Sequence, residues 1–221
     1  MLLAVDSATE TMGLAVTDGD VILAEQIWRA PRHATGELAP EVARLLRRIG
    51  ISEDRLTGIA LTVGPGSFSG LRTGAAFAKG LAFGRGLRIA AVPTLDVLAF
   101  GQAPRPEPML ALLTAGRGRW AAAWYKWSKR RWKAEGPVSL LDGPALLEAV
   151  DRPTYVCGEI DVEARKALAG GGHAQLAPPE LCVRRPAVLA QIGWEQIRTR
   201  KASDPLNVNP VYPDAAPGGP A

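Results

Sequence analysis

The run Gly64-Pro65-Gly66-Ser67-Phe68-Ser69-Gly70-Leu71-Arg72-Thr73-Gly74 holds the residue types best suited to chemistry in this chain. It follows an apolar strand-like stretch, Gly58 to Val63, and precedes a Gly/Ala-rich helical pattern. Glycine admits positive φ angles and close backbone approach, and Pro65 fixes one φ beside it. The segment therefore reads as strand, tight turn and helix N-terminus, with Ser67 or Ser69 as N-cap. Such a corner can hold an anion on its backbone N–H groups. A Walker-type loop would need Gly-Lys-Ser/Thr, which does not follow, and a dinucleotide fingerprint needs another glycine spacing. Ser67 invites a nucleophile reading, but the pattern is not Gly-x-Ser-x-Gly. Only His33 and His173 are present to act as its base, and His173 sits in a glycine loop. Arg72 can grip a carboxylate or phosphate through two hydrogen bonds, or serve a structural ion pair.

The helix after the corner must position these groups. Gly70, Gly74, Ala78 and Ala82 recur every four residues and form a stripe nearly free of side chains, flanked by Leu71, Phe77 and Leu81. A stripe of this kind lets another backbone come close. That backbone belongs either to the chain's own sheet or to another subunit, and spacing does not separate the two. An earlier helix over residues 35–49 puts Leu38, Val42, Leu45, Leu46 and Ile49 on one face. Gly50 ends it, and Pro40 fits only within about its first turn.

A second chemical signal is basic and aromatic. Between Ala115 and Ala134 lie Arg117, Arg119, Lys126, Lys129, Arg130, Arg131 and Lys133 with no acid, interleaved with Trp120, Trp124, Tyr125, Trp127 and Trp132. Such a ribbon suits nucleic acid, through phosphates and stacking. It equally suits an antiparallel hairpin turning at Ser128-Lys129-Arg130, its edge guarded by cations.

With 221 residues, 47% of them hydrophobic, the chain can bury a sizeable core as one large domain or two lobes. The net charge of +4 is mild. Cys157 and Cys182 are the only cysteines, so no disulfide scaffold or zinc knuckle is indicated. Met1 to Asp6 reads as a first strand rather than a signal peptide, and no apolar run is long enough to span a bilayer. A cytoplasmic, soluble protein is expected.

Strands are expected at 2–6, 13–17 and 21–28, with Asp18-Gly19-Asp20 as a hairpin turn. The first helix, strand 58–63, the stripe helix to about Gly84, strand 87–92 and a short helix at 94–100 complete a first half. Three prolines in Gly101–Pro108 mark a lobe boundary. Strand 109–114 and two ribbon strands then precede a helix at 143–150, strand 154–157, a helix at 161–169 and a last helix at 186–200. From Pro205 the chain should lack regular structure, with disorder after Tyr212. Lobes of 1–102 and 103–212 with a tail at 213–221 follow, a duplicated α/β architecture.

The opening Ala4-Val5-Asp6-Ser7-Ala8-Thr9 and the glycine corner together make the chain resemble the TsaB (YeaZ) family. Arg32-His33 and Ala78-Lys79-Gly80-Leu81-Ala82 fit the same pattern. The second half resembles it loosely: Pro210-Val211-Tyr212 fits the terminal motif, but Pro213-Asp214 replace a Leu/Val-Arg pair. The resemblance implies an actin/Hsp70/sugar-kinase-like (ASKHA) fold, α/β with mixed sheets flanked by helices in two lobes. It implies a part in making threonylcarbamoyladenosine on tRNAs that read codons beginning with A. A separate synthase supplies threonylcarbamoyl-adenylate, and a metal-bearing TsaD-like paralogue transfers the group. A TsaB-like protein is the non-catalytic partner of that paralogue, pairing with it or with itself through the first two helices. A small TsaE-like ATPase completes the complex, and tRNA is met through the assembly.

On that resemblance the expected partner and dimer surface is Leu38, Val42, Leu45, Leu46, Gly70, Leu71, Gly74, Ala75, Phe77, Ala78 and Leu81. Asp6, Ser7 and Thr9 become a vestigial phosphate loop, although Asp6 in a turn equally braces a hairpin. Thr114 stands where relatives carry the Asp of Asp-Ala-Arg, which removes an anchor for magnesium or a base. The paralogue's metal is held by two histidines four apart, whereas here His33 is followed by Glu37, too few ligands for a site. No catalytic residue, metal or cofactor is expected, with a nucleotide conceivable only at a subunit interface. The competing reading is an ATP-dependent phosphotransferase or metallopeptidase-like enzyme of the same fold.

Overall fold

The computed structural model describes residues 1–30 and 34–213. The first unit is built from β1 (Leu2–Asp6), β2 (Thr11–Thr17), β3 (Ile22–Arg29), α1 (Ala34–Arg48), β4 (Gly58–Thr62), α2 (Phe68–Arg85) and β5 (Arg88–Val92). α3 (Thr94–Phe100) carries the boundary to the second unit. There follow β6 (Met109–Thr114), β7 (Trp120–Ser128), β8 (Arg131–Ala134), β9 (Ser139–Leu141), α4 (Gly143–Ala149), β10 (Thr154–Gly158), α5 (Val162–Gly170) and β11 (Ala174–Leu176). α6 (Pro186–Arg198) comes last.

The first sheet runs β3-β2-β1-β4-β5, antiparallel from β3 to β1 and parallel from β1 to β5. β1 is apolar from Leu2 to Val5, as suits a strand covered on both faces. Leu3 and Val5 meet α1 and α2 on one side, while Leu2 and Ala4 meet α6 on the other. The second sheet runs β11-β10-β6-β7-β8 and repeats the same pattern of antiparallel and parallel neighbours, with β9 added on β7. Its helices α4 and α5 cover Leu110, Leu112 and Val156 with Leu146 and Leu168. The duplicated architecture read from the sequence is present.

The lobe limits differ from the expected ones. The first unit is Met1–Val97 together with Arg185–Val211, and the second is Leu98–Arg184 with Tyr212. The last helix therefore returns to the first sheet instead of closing the second lobe. Close approach makes this possible: a Cβ on Gly193 of α6 would lie 2.3 Å from the Ala60 methyl, and one on Gly58 2.3 Å from Ile197. Pro40 also departs from expectation, since α1 begins at Ala34 and places it in the second turn. Pro40 and Gly36, the residue whose carbonyl loses a partner, are both exposed, so water can serve that group. The three-residue strands β9 and β11 are too short to read from periodicity. The tail expected to be disordered lies, after Pro213, outside the described residues.

Candidate functional site

The glycine corner is a clamp on the first turn of the chain. Gly64 (φ +126) lies where a Cβ would meet the Val211 carbonyl oxygen at 2.0 Å, and the Val211 N–H donates to Val63 O at 2.6 Å. A Cβ on Gly66 would meet Ala8 O at 2.4 Å, one on Gly70 would meet Ser7 O at 2.2 Å, and one on Gly74 would meet Ser7 Oγ at 2.1 Å. The turn is held in return. Ser67 N–H donates to Ala8 O at 2.6 Å, Ser7 Oγ donates to Gly70 O at 2.9 Å, and Ser67 caps α2 by accepting from the Gly70 N–H. The Gly64 N–H is taken by Thr94 Oγ1 at 3.2 Å. The Gly64, Ser67 and Gly70 N–H groups are thus taken by the chain itself.

Asp6, Ser7 and Thr9 follow the same logic. Asp6 is buried, and its Oδ1 accepts from the Ala8 N–H and from Thr62 Oγ1, each at 3.0 Å. Thr9 Oγ1 accepts from the Thr11 N–H at 3.2 Å. Asp6 braces the β1–β2 turn, one of the two roles its position allowed.

The expected partner surface requires correction. Leu38, Val42, Leu45, Leu46, Gly70, Leu71, Gly74, Ala75 and Ala78 are buried within the chain's own first unit, and Phe77 and Leu81 are half-buried against the same core. The stripe of small residues faces Ser7 and Leu61, so it seats α2 on its own sheet. Either backbone satisfied the spacing, and the internal one occupies it.

The outward face of α2 carries a second stripe that sequence reasoning passed over. Phe68, Arg72, Ala76, Gly80 and Gly84 also recur every four residues, and all are exposed. Phe68 is 60% exposed and Phe83, one position off this row, 83%. A Cβ on Gly80 or Gly84 would meet nothing within 4 Å. The Arg72 guanidinium lies over the Phe68 ring, 4.8 Å from its centroid, which is a stacked cation rather than an ion pair. Two exposed aromatics thus stand toward the two ends of a row of small residues, where the helix surface is low enough for another backbone to approach. The signal was visible in the sequence as a second four-residue repeat two positions from the first.

In the second unit, Thr114 ends β6 with an exposed side chain. Its N–H donates at 3.4 Å to Glu159 Oε2, and the buried Arg184 donates to Glu159 Oε1 at 2.7 Å. A carboxylate thus stands near the strand end from a later part of the chain, but it is bound to an internal cation. Cys157 is buried, and desolvation first, with Cys182 beside it, pushes its thiol up, the opposite of an activated nucleophile. His33 lies outside the described residues. Among the described residues, no three His, Cys, Asp or Glu side chains gather as metal ligands would, and no helix is long and apolar enough to cross a membrane.

The family model described as TsaD, tRNA N6-adenosine threonylcarbamoyltransferase, matches residues 28–172. The chain is 28% identical over 223 residues to the tRNA threonylcarbamoyladenosine biosynthesis protein TsaB of Bacillus subtilis, covering 96% of this chain and 93% of that one. It is 33% identical to a tRNA N6-adenosine threonylcarbamoyltransferase of a Geobacter species over 52% of this chain, but spans only 40% of that relative. Among solved structures, YeaZ from Pseudomonas aeruginosa superposes with a TM-score of 0.75 at 23% identity, covering 95% and 99% of the two chains. A ROK hexokinase from Thermus thermophilus shares the fold at a TM-score of 0.50 and 14% identity, covering 90% and 99%. The fold is that of the actin/Hsp70/sugar-kinase group.

Proposed function

We propose, from the premise that this chain belongs to the TsaB (YeaZ) branch of the TsaD family, that it acts in tRNA threonylcarbamoyladenosine biosynthesis as a non-catalytic assembly subunit. In this reading it pairs with the TsaD-like transferase, and with a second copy of itself when alone. A TsaE-like ATPase joins the same assembly, and the site of action is the cytoplasm. The observation that carries the reading is the open face of α2: Phe68, Arg72, Ala76, Gly80 and Phe83 offer apolar area and room for a foreign helix to approach closely. The pairing surface is thus moved from the buried stripe to the opposite side of the same helix. The three corner N–H groups taken by the chain's own oxygens and the Arg184-bound Glu159 favour a supporting role over phosphate chemistry.

The test uses bulky substitutions on the two faces. Gly80→Trp and Ala76→Trp should abolish complex formation with the transferase while leaving circular dichroism and Tm near wild type. Ala78→Trp, on the buried face, should unfold the chain instead. The isolated protein should turn over no ATP, and tRNA modification should return only when the transferase and its companions are mixed with it. A Gly80→Trp protein that still pairs fully would defeat the surface assignment. ATP turnover by the chain alone, lost on Asp6→Ala, would establish the enzyme reading instead.

A further inference from the structure

The second unit carries a basic face for which the assembly role has no use. β7 and β8 meet at the turn Lys129-Arg130, and their register sets Lys126 opposite Lys133 and Ser128 opposite Arg131. Cross-strand partners share a face, as do residues two apart along a strand. Lys126, Ser128, Arg131 and Lys133 therefore stand on one side of the ribbon. Trp127 and Trp132 stand on the other, with Trp132 buried. Lys129 and Arg130 extend the cluster at the exposed tip. Among the described residues only Lys126 of this group has an acidic partner, Glu135. Further along the same face, Arg152 lies over the Trp124 ring, 5.9 Å from its centroid.

Folding alone does not favour this arrangement. Like charges directly opposite one another destabilise a strand pair. The turn also holds Lys129 at φ 52 and Arg130 at φ 63, in a two-residue hairpin whose ordinary occupants are Asn-Gly. Guarding an edge needs a lysine or two pointing outward, not cations in a left-handed turn. Both side chains are exposed, so no packing offsets the cost of that conformation.

We propose that this face binds the phosphodiester backbone of an RNA. The cations lie along an exposed ribbon rather than around a cavity, and the three-residue rise from Lys126 to the tip spans roughly 10 Å. That suits several backbone phosphates in series rather than one free phosphate group. Base stacking contributes little, because Trp120 and Trp132 are buried. Trp127 is also edge-on to Trp132, with centroids 5.6 Å apart. Recognition is therefore electrostatic and independent of sequence. Arg117 and Arg119 precede the far end of β7 and do not belong to this face. The inference deepens the assembly reading and rests on it only for taking tRNA as the RNA.

The experiment measures binding of the full chain to an unmodified tRNA transcript across a salt series. In K129Q/R130Q/R131Q/K133Q, tRNA affinity at low salt should fall at least about tenfold. The slope of log K against log salt should become shallower by about three, for four lost phosphate contacts. In K129N/R130G affinity should also fall while Tm stays level or rises, because the turn is relaxed; a residue kept only for the hairpin would give the reverse. Equal affinities and slopes for wild type and both variants would overturn the proposal. So would a variant that keeps tRNA binding but loses the transferase, which would give the face to a protein partner. Failure of every mixture to modify tRNA sinks the assembly reading instead, and leaves the binding difference to be judged by itself.

Discussion

Gly74 and Ser7 stand so close that a methyl at position 74 would come within 2.1 Å of the Ser7 hydroxyl and 3.2 Å of Leu61 Cδ1. The hydroxyl cannot swing away without giving up its hydrogen bond to Gly70 O. Gly74→Ala should therefore destabilise the fold by about 1–3 kcal/mol through overpacking, read as a lowered urea midpoint. Removing the obstacle with Ser7→Ala should recover part of that loss. The double variant should be more stable than the sum of the singles by about 1 kcal/mol. Strict additivity would mean that the two residues are not in contact as described. At this scale the sequence identified the residues but not their task. A corner of glycines and serines suits an anion and an internal oxygen equally, and in this protein the oxygens of Ser7, Ala8 and Val211 occupy it.

α6 shows how an element is recruited to a distant sheet. Glu25 on β3 accepts from Arg185 Nε at 3.1 Å and from the Ala187 N–H at 2.9 Å, just where α6 begins. A carboxylate at that end also meets the positive pole of the helix. Burial raises the Glu25 pKa, but the Arg185 and Ala187 hydrogen bonds and the Arg185 charge outweigh it and hold the carboxyl below its ordinary 4.5. A carboxyl depressed in the folded state stabilises the protein above its unfolded pKa, and that stability is lost as pH falls through the folded value. Urea midpoints should therefore drop as pH is taken below about 4.5, and Glu25→Gln should flatten that part of the profile while lowering stability near neutrality. An unchanged acid limb in Glu25→Gln would remove Glu25 from the account. α2 gives the matching lesson for faces. Its two four-residue rows were both present in the sequence, and burial assigned one to the sheet and left the other to solvent.

For the molecule as a whole, the return of residues 185–211 makes the first unit discontinuous. A fragment ending at residue 102, the boundary that composition suggests, would leave Leu2, Ala4, Ala15, Ala60, Ala90 and Val92 without Leu189 and Ala190 above them. Such a fragment should be aggregation-prone, bind a hydrophobic dye and lack cooperative unfolding. Joining residues 185–211 to it through a flexible linker should restore a sharp transition, and cooperative folding of the bare fragment would contradict the packing described. Much of this protein follows from sequence alone. The order of the longer strands and helices, the strand–turn–helix form of the corner, the duplicated α/β plan and the family follow from local periodicity, turn chemistry and two motifs, which short segments carry by themselves. Which side of α2 faces solvent, where α6 docks and which ribbon cations share a face were decided only in three dimensions. Spacing fixes which residues stand together on an element, whereas the neighbour they meet depends on contacts between segments far apart in the chain.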